Sequence, residues 1–500
     1  MSRSGQQETE PLHKNVNHVE IAKHLKDSEE VQDVTGISPF WKQALGSSPP
    51  IIASISSGML FGYSATLIPE LQKPDSDIQV NLEYASWIAS TVPLLMSFGC
   101  LVGGTIMGRY GRKNAHFILC IPKLLGWLTI YLAPNFAILL VGRILGGLSA
   151  GLLATLFPTY LGEVSEPKYR GFFLVAPSTA LALGILATHL LGTFLHWRTV
   201  ALLASILPLI TVIVLFLVPE TPCWLISQNR FDEALKAFRW LRGSSISSKR
   251  EFEQMWDKHK ETEAISEDSF WNKAFVAFRR PEFVKPFAII FCCFFTMQFS
   301  GPYIVAFYSV SILSKILGTT MNEYLVMNAI DVLRLVMVII ASGLLRTVRR
   351  RVLLLTSGIG TTISAIGLAV FIFATRYYPH LMEFSWFSVI LLVSYIFFIS
   401  IGIFVLPWCM AGELYPLDCR SLGSSLNISI NFFLFFICVK IAPALFESLG
   451  IDGAFLFYGG IALMGTVVLG IVLPETKDRT LVDIQMQFIK KKEEITRNNV

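Results

Sequence analysis

Residues 158–171 read PTYLGEVSEPKYRG, closing a long apolar run with Glu163 and Arg170, seven positions apart. Residues 407–421 read PWCMAGELYPLDCRS, where Glu413 and Arg420 again stand seven apart behind an apolar run. The same punctuation about 250 residues later is the mark of an internally duplicated chain. The surrounding composition tells what was duplicated. Of 500 residues, 53% are hydrophobic and 15% charged, against about 25% charged in soluble domains. Apolar runs of about 20 residues in such a chain are membrane spans. Within lipid each must satisfy its own backbone, so each is a helix. The alternating pattern of a barrel strand is absent.

Twelve such runs are legible, at 50–69, 84–108, 114–133, 136–157, 171–194 and 199–218, then 285–313, 322–345, 352–375, 386–411, 421–445 and 453–473. The expected architecture is an all-α integral membrane protein of 12 transmembrane helices in two six-helix bundles, 47–218 and 285–473. Residues 1–46 read as a disordered polar tail without a signal peptide, and 474–500 as a second tail. Between the bundles, 219–284 reads as a helical linker. Its stretch RFDEALKAFRWLRG places Phe231, Ala234, Leu235, Phe238 and Leu241 on one helical face before Gly243. Two further linker helices are expected at 249–264 and 270–278.

Short loops rich in Lys and Arg mark the cytoplasmic side. Arg109, Arg112 and Lys113, then Lys168 and Arg170, then Arg346 and Arg349 to Arg351, then Arg420 fall in alternate loops. Both termini and the linker are then cytoplasmic. The net charge of +5 belongs to these loops and implies no nucleic-acid partner. The eight cysteines show no metal-ligand or CxxC spacing and read as reduced, so no metal and no cofactor is expected.

The motifs resemble the major facilitator plan and, within it, the sugar-porter family and its insect facilitated trehalose transporter-like branch. GTIMGRYGRK (104–113), PTYLGE with YRG, His196-Trp197-Arg198, PETPCWL (219–225), MQFSGPYIVAFYS (297–309), RTVRRR (346–351), LPWCMAGELYP (406–416) and PETKDRTL (474–481) occur in that family's order. The resemblance covers about 50–485. Gly108, Cys223, Ser178, Met297 and Tyr303 depart from its usual residues.

It implies a carrier that moves a sugar, trehalose or a hexose, across the plasma membrane by alternating access about a site near the midplane. By resemblance, Gln298, Tyr303, Phe307 and Tyr308 line that site, with Trp408, Asn431 and Ser178. Amides can bond sugar hydroxyls, and Trp408 can stack on a ring face. An ungapped carry-over adds Arg334, with Asp331 one turn earlier as its partner. Breaks are expected at Ser300-Gly301-Pro302 and at Gly402 and Pro407. A charged cytoplasmic gate is expected of Arg109, Arg112, Glu163, Arg170 and Glu220, answered by Arg350, Arg351, Glu413, Arg420 and Glu475. Acids at repeated offsets from bases are not required by topology alone.

Proton-driven relatives carry an acid in the first span where Ser64 stands. Ser64 cannot titrate, which favours facilitated diffusion. The rivals are a same-fold carrier of another small polar solute, a proton-coupled symporter and a non-transporting sensor; the short tails argue against the sensor. Lys123 and His189 are titratable residues in spans without an assigned role. GLSAG (147–151) matches a hydrolase elbow but lies in an apolar helix, where small residues allow close packing. No enzyme is expected.

Overall fold

The computed structural model describes residues 38–263, 275–317, 321–416 and 419–477. The expected tails fall largely outside these, as does most of the third linker helix. Among the described residues the chain is helical and without strands. Seven helices precede the linker region: α1 (Pro39–Leu71), α2 (Leu82–Tyr110), α3 (Arg112–Tyr131), α4 (Phe136–Val164), α5 (Pro167–Phe194) and a pair, α6 (Trp197–Ala204) and α7 (Ile206–Leu217), that together form one span-length rod. Three linker helices follow: α8 (Pro222–Ser227), α9 (Phe231–Arg242) and α10 (Ile246–Glu263). The second set comprises α11 (Pro281–Phe299), α12 (Pro302–Phe307), α13 (Ser309–Leu317), α14 (Glu323–Thr347), α15 (Arg350–Tyr377), α16 (Ser385–Ile401), α17 (Leu406–Glu413), α18 (Arg420–Ser448) and α19 (Gly450–Val472).

Eleven helices or helix pairs among the described residues are long and apolar enough to cross a membrane. Helix α3 is not among them, because Arg112, Lys113 and Lys123 dilute its 20 residues. Side chains such as Phe194, Phe216 and Ile471 are more than 70% exposed on outer faces, as a lipid-facing surface requires. Local chemistry sets the helix starts. Asn81 accepts from Tyr84 N at 2.8 Å, Asn135 from Ile138 N at 3.1 Å and Asn322 from Tyr324 N at 2.9 Å.

Small residues let the helices touch. A Cβ on Gly151 would meet Met96 O at 2.3 Å, and one on Gly147 would meet Val92 O at 2.6 Å. The glycines of the apparent hydrolase motif are therefore the α2–α4 contact. Linker helix α9 buries Ala234, Leu235, Phe238 and Leu241 on one face. It docks on the first set, where Gln43 Nε2 donates to Leu241 O at 3.4 Å and Arg242 Nη2 to Ser165 O at 2.9 Å. This defines a linker end of the molecule, opposite a far end.

The two sets meet along α2 and α18 and along α5 and α14. Ser97 and Ser429 each donate to the other's carbonyl oxygen, at 3.0 and 3.1 Å. Nearer the far end, Lys440 Nζ donates to Ser86 Oγ at 2.7 Å and lies 3.9 Å over the Trp87 ring.

Candidate functional site

Two helices of the second set break where the sequence suggests. Helix α11 ends at Phe299, Gly301 takes φ +83°, and α12 starts on Pro302. Only glycine adopts that backbone freely, and an added Cβ would lie 3.0 Å from Tyr395 Oη and 3.1 Å from the Tyr458 ring. Helix α16 stops before Gly402, and α17 resumes at Leu406. Such interruptions free backbone groups and are tolerated in a membrane only against protein or a cavity.

Beside the first break, Gln298 Nε2 donates to Asn431 Oδ1 at 2.7 Å, joining α11 to α18. Both side chains are buried, and Gln298 Oε1 and Asn431 Nδ2 are left without a hydrogen-bond partner. An unpaired buried acceptor and an unpaired buried donor each cost about 1–3 kcal/mol. A hydroxyl, which donates and accepts at once, satisfies both.

An aromatic cluster is built from the same helices and their neighbours. Tyr303 stacks on Phe435 at 4.3 Å and meets Phe404 edge-on at 5.4 Å. Phe307 is fully buried, 5.4 Å from Phe435 and 5.8 Å from Phe61 of α1. The Tyr308 hydroxyl is committed to Val439 O at 3.2 Å. Trp408 is half-buried and edge-on to Phe294 at 5.4 Å. Arg334 donates to Asp331 Oδ1 at 2.6 Å, with its Nη2 left without a partner. Ser178 lies on an exposed face of α5.

At the linker end two charged clusters repeat each other. In the first set Arg112 Nη2 and Nε donate to Glu163 Oε1 at 2.7 and 3.1 Å. Glu220 caps the start of α3, accepting from the backbone N–H of Arg112 at 3.1 Å and Lys113 at 3.0 Å, and from its neighbour Thr221 at 2.8 Å. In the second set Arg350 Nη2 donates to Glu413 Oε1 at 2.9 Å, while Cys409 Sγ donates to that oxygen at 3.0 Å and Thr476 to Oε2. Glu475 caps α15, accepting from the N–H of Arg350 at 3.1 Å and Arg351 at 3.3 Å.

Burial raises the Glu220 carboxyl above its ordinary range despite those backbone donors. Burial pushes Glu475 the same way, but its N–H donors win and hold it below the ordinary range. Arg351 turns to Gly470 O. Arg109 is exposed over the Tyr110 ring, and Arg170 is exposed; neither makes an ion pair among the described residues. The Arg420 side chain lies outside what the structure describes.

Three buried polar residues join the site's surroundings without having been assigned a role from sequence. Arg143 is fully buried and ties α4 to its neighbours, through Ile88 O at 3.0 Å, Leu60 O at 2.8 Å and Ser64 Oγ at 2.5 Å. Lys123 Nζ donates to Ser57 Oγ at 2.8 Å. His189 Nδ1 bonds Asp331 Oδ2 across the two sets, and its Nε2 lies 3.0 Å from Gly62 O. Lys123 and His189 stand out in the sequence as titratable residues in spans, whereas Arg143 was missed, although a charge inside the apolar run 136–157 was signal enough to find it.

The family model described as "Sugar (and other) transporter" matches residues 50–488. A facilitated trehalose transporter Tret1 of Apis mellifera ligustica is 30% identical over 478 residues, covering 93% of each chain. The Tret1 of Anopheles gambiae is 30% identical over 450 residues, 90% of this chain but 56% of its own length. Among solved structures, the inward-open xylose transporter XylE from E. coli superposes with a TM-score of 0.73 at 16% identity, covering 90% of this chain and all of that one. The major facilitator superfamily proton:xylose symporter XylE bound to 6-bromo-6-deoxy-D-glucose gives 0.69 at 16% identity, covering 90% and 99%. With a family match over most of its length and a fold shared with sugar transporters, this multi-pass membrane chain belongs to the sugar (and other) transporter family.

Proposed function

We propose that the chain is a facilitative carrier of trehalose or a hexose in the plasma membrane, working by alternating access. The observation that carries this reading is the Gln298–Asn431 pair. It offers one free acceptor and one free donor beside a broken helix, on helices that also carry an aromatic cluster. That chemistry suits a polyhydroxylated ring, whose hydroxyls complete both amides while its apolar face lies against Tyr303, Phe307 or Trp408. The family resemblance to trehalose transporters supports the solute class.

In this reading α3 is the third of 12 spans in two six-helix bundles, with both termini and the linker cytoplasmic. The far end is the extracellular side, closed here by the α2–α18 and α5–α14 contacts. The linker-end clusters are gates whose ion pairs strengthen and weaken as the bundles rock. The residues assigned to the sugar are Gln298, Asn431, Tyr303, Phe307, Tyr308 and Trp408, with Ser178 and Arg334 approaching it in other states of the cycle.

Uptake of labelled trehalose and glucose into transporter-null cells tests this. Saturable uptake of either, lost in Gln298→Ala and Asn431→Ala at equal surface amounts, is the expected result. Absence of both uptakes with protein at the surface rejects it. A second reading, a carrier of another small polar solute, is favoured by the unpartnered Arg334 Nη2, which a carboxylate or phosphate would satisfy. Competition of uptake by small anions distinguishes the two.

A further inference from the structure

We propose that His189 and Asp331 form a proton-binding site that fills when the far-end gate closes. The inference rests on the carrier reading only in taking the two helix sets to separate at that end.

The argument is one of donors and acceptors. His189 and Asp331 are both buried and lie on α5 and α14, in different helix sets. They are the ion pair that joins the two sets among the described residues. Asp331 also takes a bond from Arg334 on its own helix. The second ring nitrogen of His189 faces Gly62 O at 3.0 Å. A backbone carbonyl only accepts, so Nε2 carries a hydrogen; an ionised carboxylate only accepts, so Nδ1 must carry one too. Neutral imidazole has a single N–H. The closed arrangement therefore holds one proton more than neutral His189 with ionised Asp331, shared between the imidazole and the carboxyl.

Separating the sets removes this requirement. Neutral His189 keeps Gly62 O with its one N–H, and ionised Asp331 keeps Arg334. The extra proton then returns to the water that enters the opened gate. It is drawn from the same water when the gate shuts, because the closed site is buried. Proton binding is thus linked to closure, while sugar movement stays downhill. Histidine suits this role because its ring can carry a hydrogen on one nitrogen or on both.

The other charged and titratable groups around the pair do not supply that proton. Arg334 is bonded to Asp331. Arg143 of α4 is committed to Leu60 O, Ser64 Oγ and Ile88 O. The Tyr395 hydroxyl bonds Ser300 O, and the Tyr303 ring is packed between Phe435 and Phe404.

The test reads the gate directly and needs no substrate. The full chain in lipid nanodiscs carries spin labels at Gln79 and Glu447, introduced by genetically encoded chemistry that spares the native cysteines. Both positions are exposed at the far end. Distances between them are measured from pH 8 to pH 5. The expected result is a closed population that grows as pH falls, with the closed-to-open ratio changing by up to about tenfold per pH unit, the limit for one linked proton. Asp331→Asn supplies a permanent donor to Nδ1 while still accepting from Arg334, so it should stay closed throughout. In His189→Gln the amide N–H donates to ionised Asp331 without any added proton, so the ratio should be independent of pH. A flat titration in the parent chain overturns the proposal, as does an unchanged pH response in either variant. Failure of sugar uptake would count against the substrate reading and leave this readout intact.

Discussion

The two linker-end clusters use the same three roles with different surroundings. In each, a glutamate near the end of one helix holds an arginine at the start of another, and a second glutamate caps that start. The first cluster depends on its backbone. Gly111 precedes α3 with φ +92°, and a Cβ there would lie 2.3 Å from Glu220 Oε2. The second reaches the same cap from Arg349 at an ordinary φ of −65°, and adds Cys409 and Thr476 around Glu413. One half fixes its carboxylates by chain geometry, the other by extra side-chain donors. The repeat preserves the Glu–Arg–Glu bonding pattern while the residues around it differ.

The sharpest way to break this comparison is at the glycine. Gly111→Ala forces a side chain into a glycine-only backbone and against a carboxylate, and should cost at least about 1–3 kcal/mol. Arg349→Ala, exposed and at an ordinary backbone angle, should stay within about 0.5 kcal/mol. Thermal denaturation of the purified proteins measures both.

Next come the ion pairs. Glu413→Gln and Glu163→Gln each remove one charge from a partly exposed pair, worth about 1 kcal/mol or roughly fivefold in a conformational equilibrium. Each should slow uptake by about that factor with surface amounts unchanged. Unchanged flux in Glu413→Gln would remove the gate from the mechanism. Unequal slowing would show which half controls the rate.

The caps should respond to pH with opposite signs. Glu475 is held low, so its stabilising contribution is complete above the ordinary carboxylate pKa near 4.3 and is lost as pH falls through its lower folded value. Glu220 is raised, so its contribution is complete below about 4.3 and is lost as pH rises through its higher folded value. Between pH 4 and 7 the parent should therefore gain stability relative to Glu475→Gln and lose it relative to Glu220→Gln, measured by melting temperature. The smallest effect belongs to Cys409→Ser, which keeps a donor to Glu413 and should change stability by only a few tenths of a kcal/mol.

The glutamates of the clusters were legible in sequence because Glu163 and Glu413 recur beside apolar runs, but each bonds an arginine at a distant helix start, Arg112 or Arg350, and Glu163 does not bond the Arg170 seven positions on. Also legible were the two helix breaks, where Gly301, Pro302, Gly402 and Pro407 interrupt hydrophobic stretches. The α9 face was equally plain from the spacing of Ala234, Leu235, Phe238 and Leu241. What escaped was partnership across long separations. His189 and Asp331 are 142 positions apart, and Arg143 finds Leu60 and Ser64 about 80 positions away. Periodicity reports which face of a helix is apolar, but not which helix lies against it. Ser178 shows the same limit: its place in the span was readable, while its exposed position depends on how α5 sits against its neighbours.

The paired serines at the α2–α18 seam have a consequence for how easily that seam opens. Ser97 and Ser429 each spend their hydroxyl on the other's carbonyl oxygen. When the helices part, each hydroxyl can swing back to the carbonyl one turn earlier on its own helix, as serines do elsewhere in this chain. Nothing is stranded in hydrocarbon on either side of the movement. If the helices part as proposed, the seam acts as a self-sealing zip, with its hydrogen bonds conserved in number whether it is fastened or not.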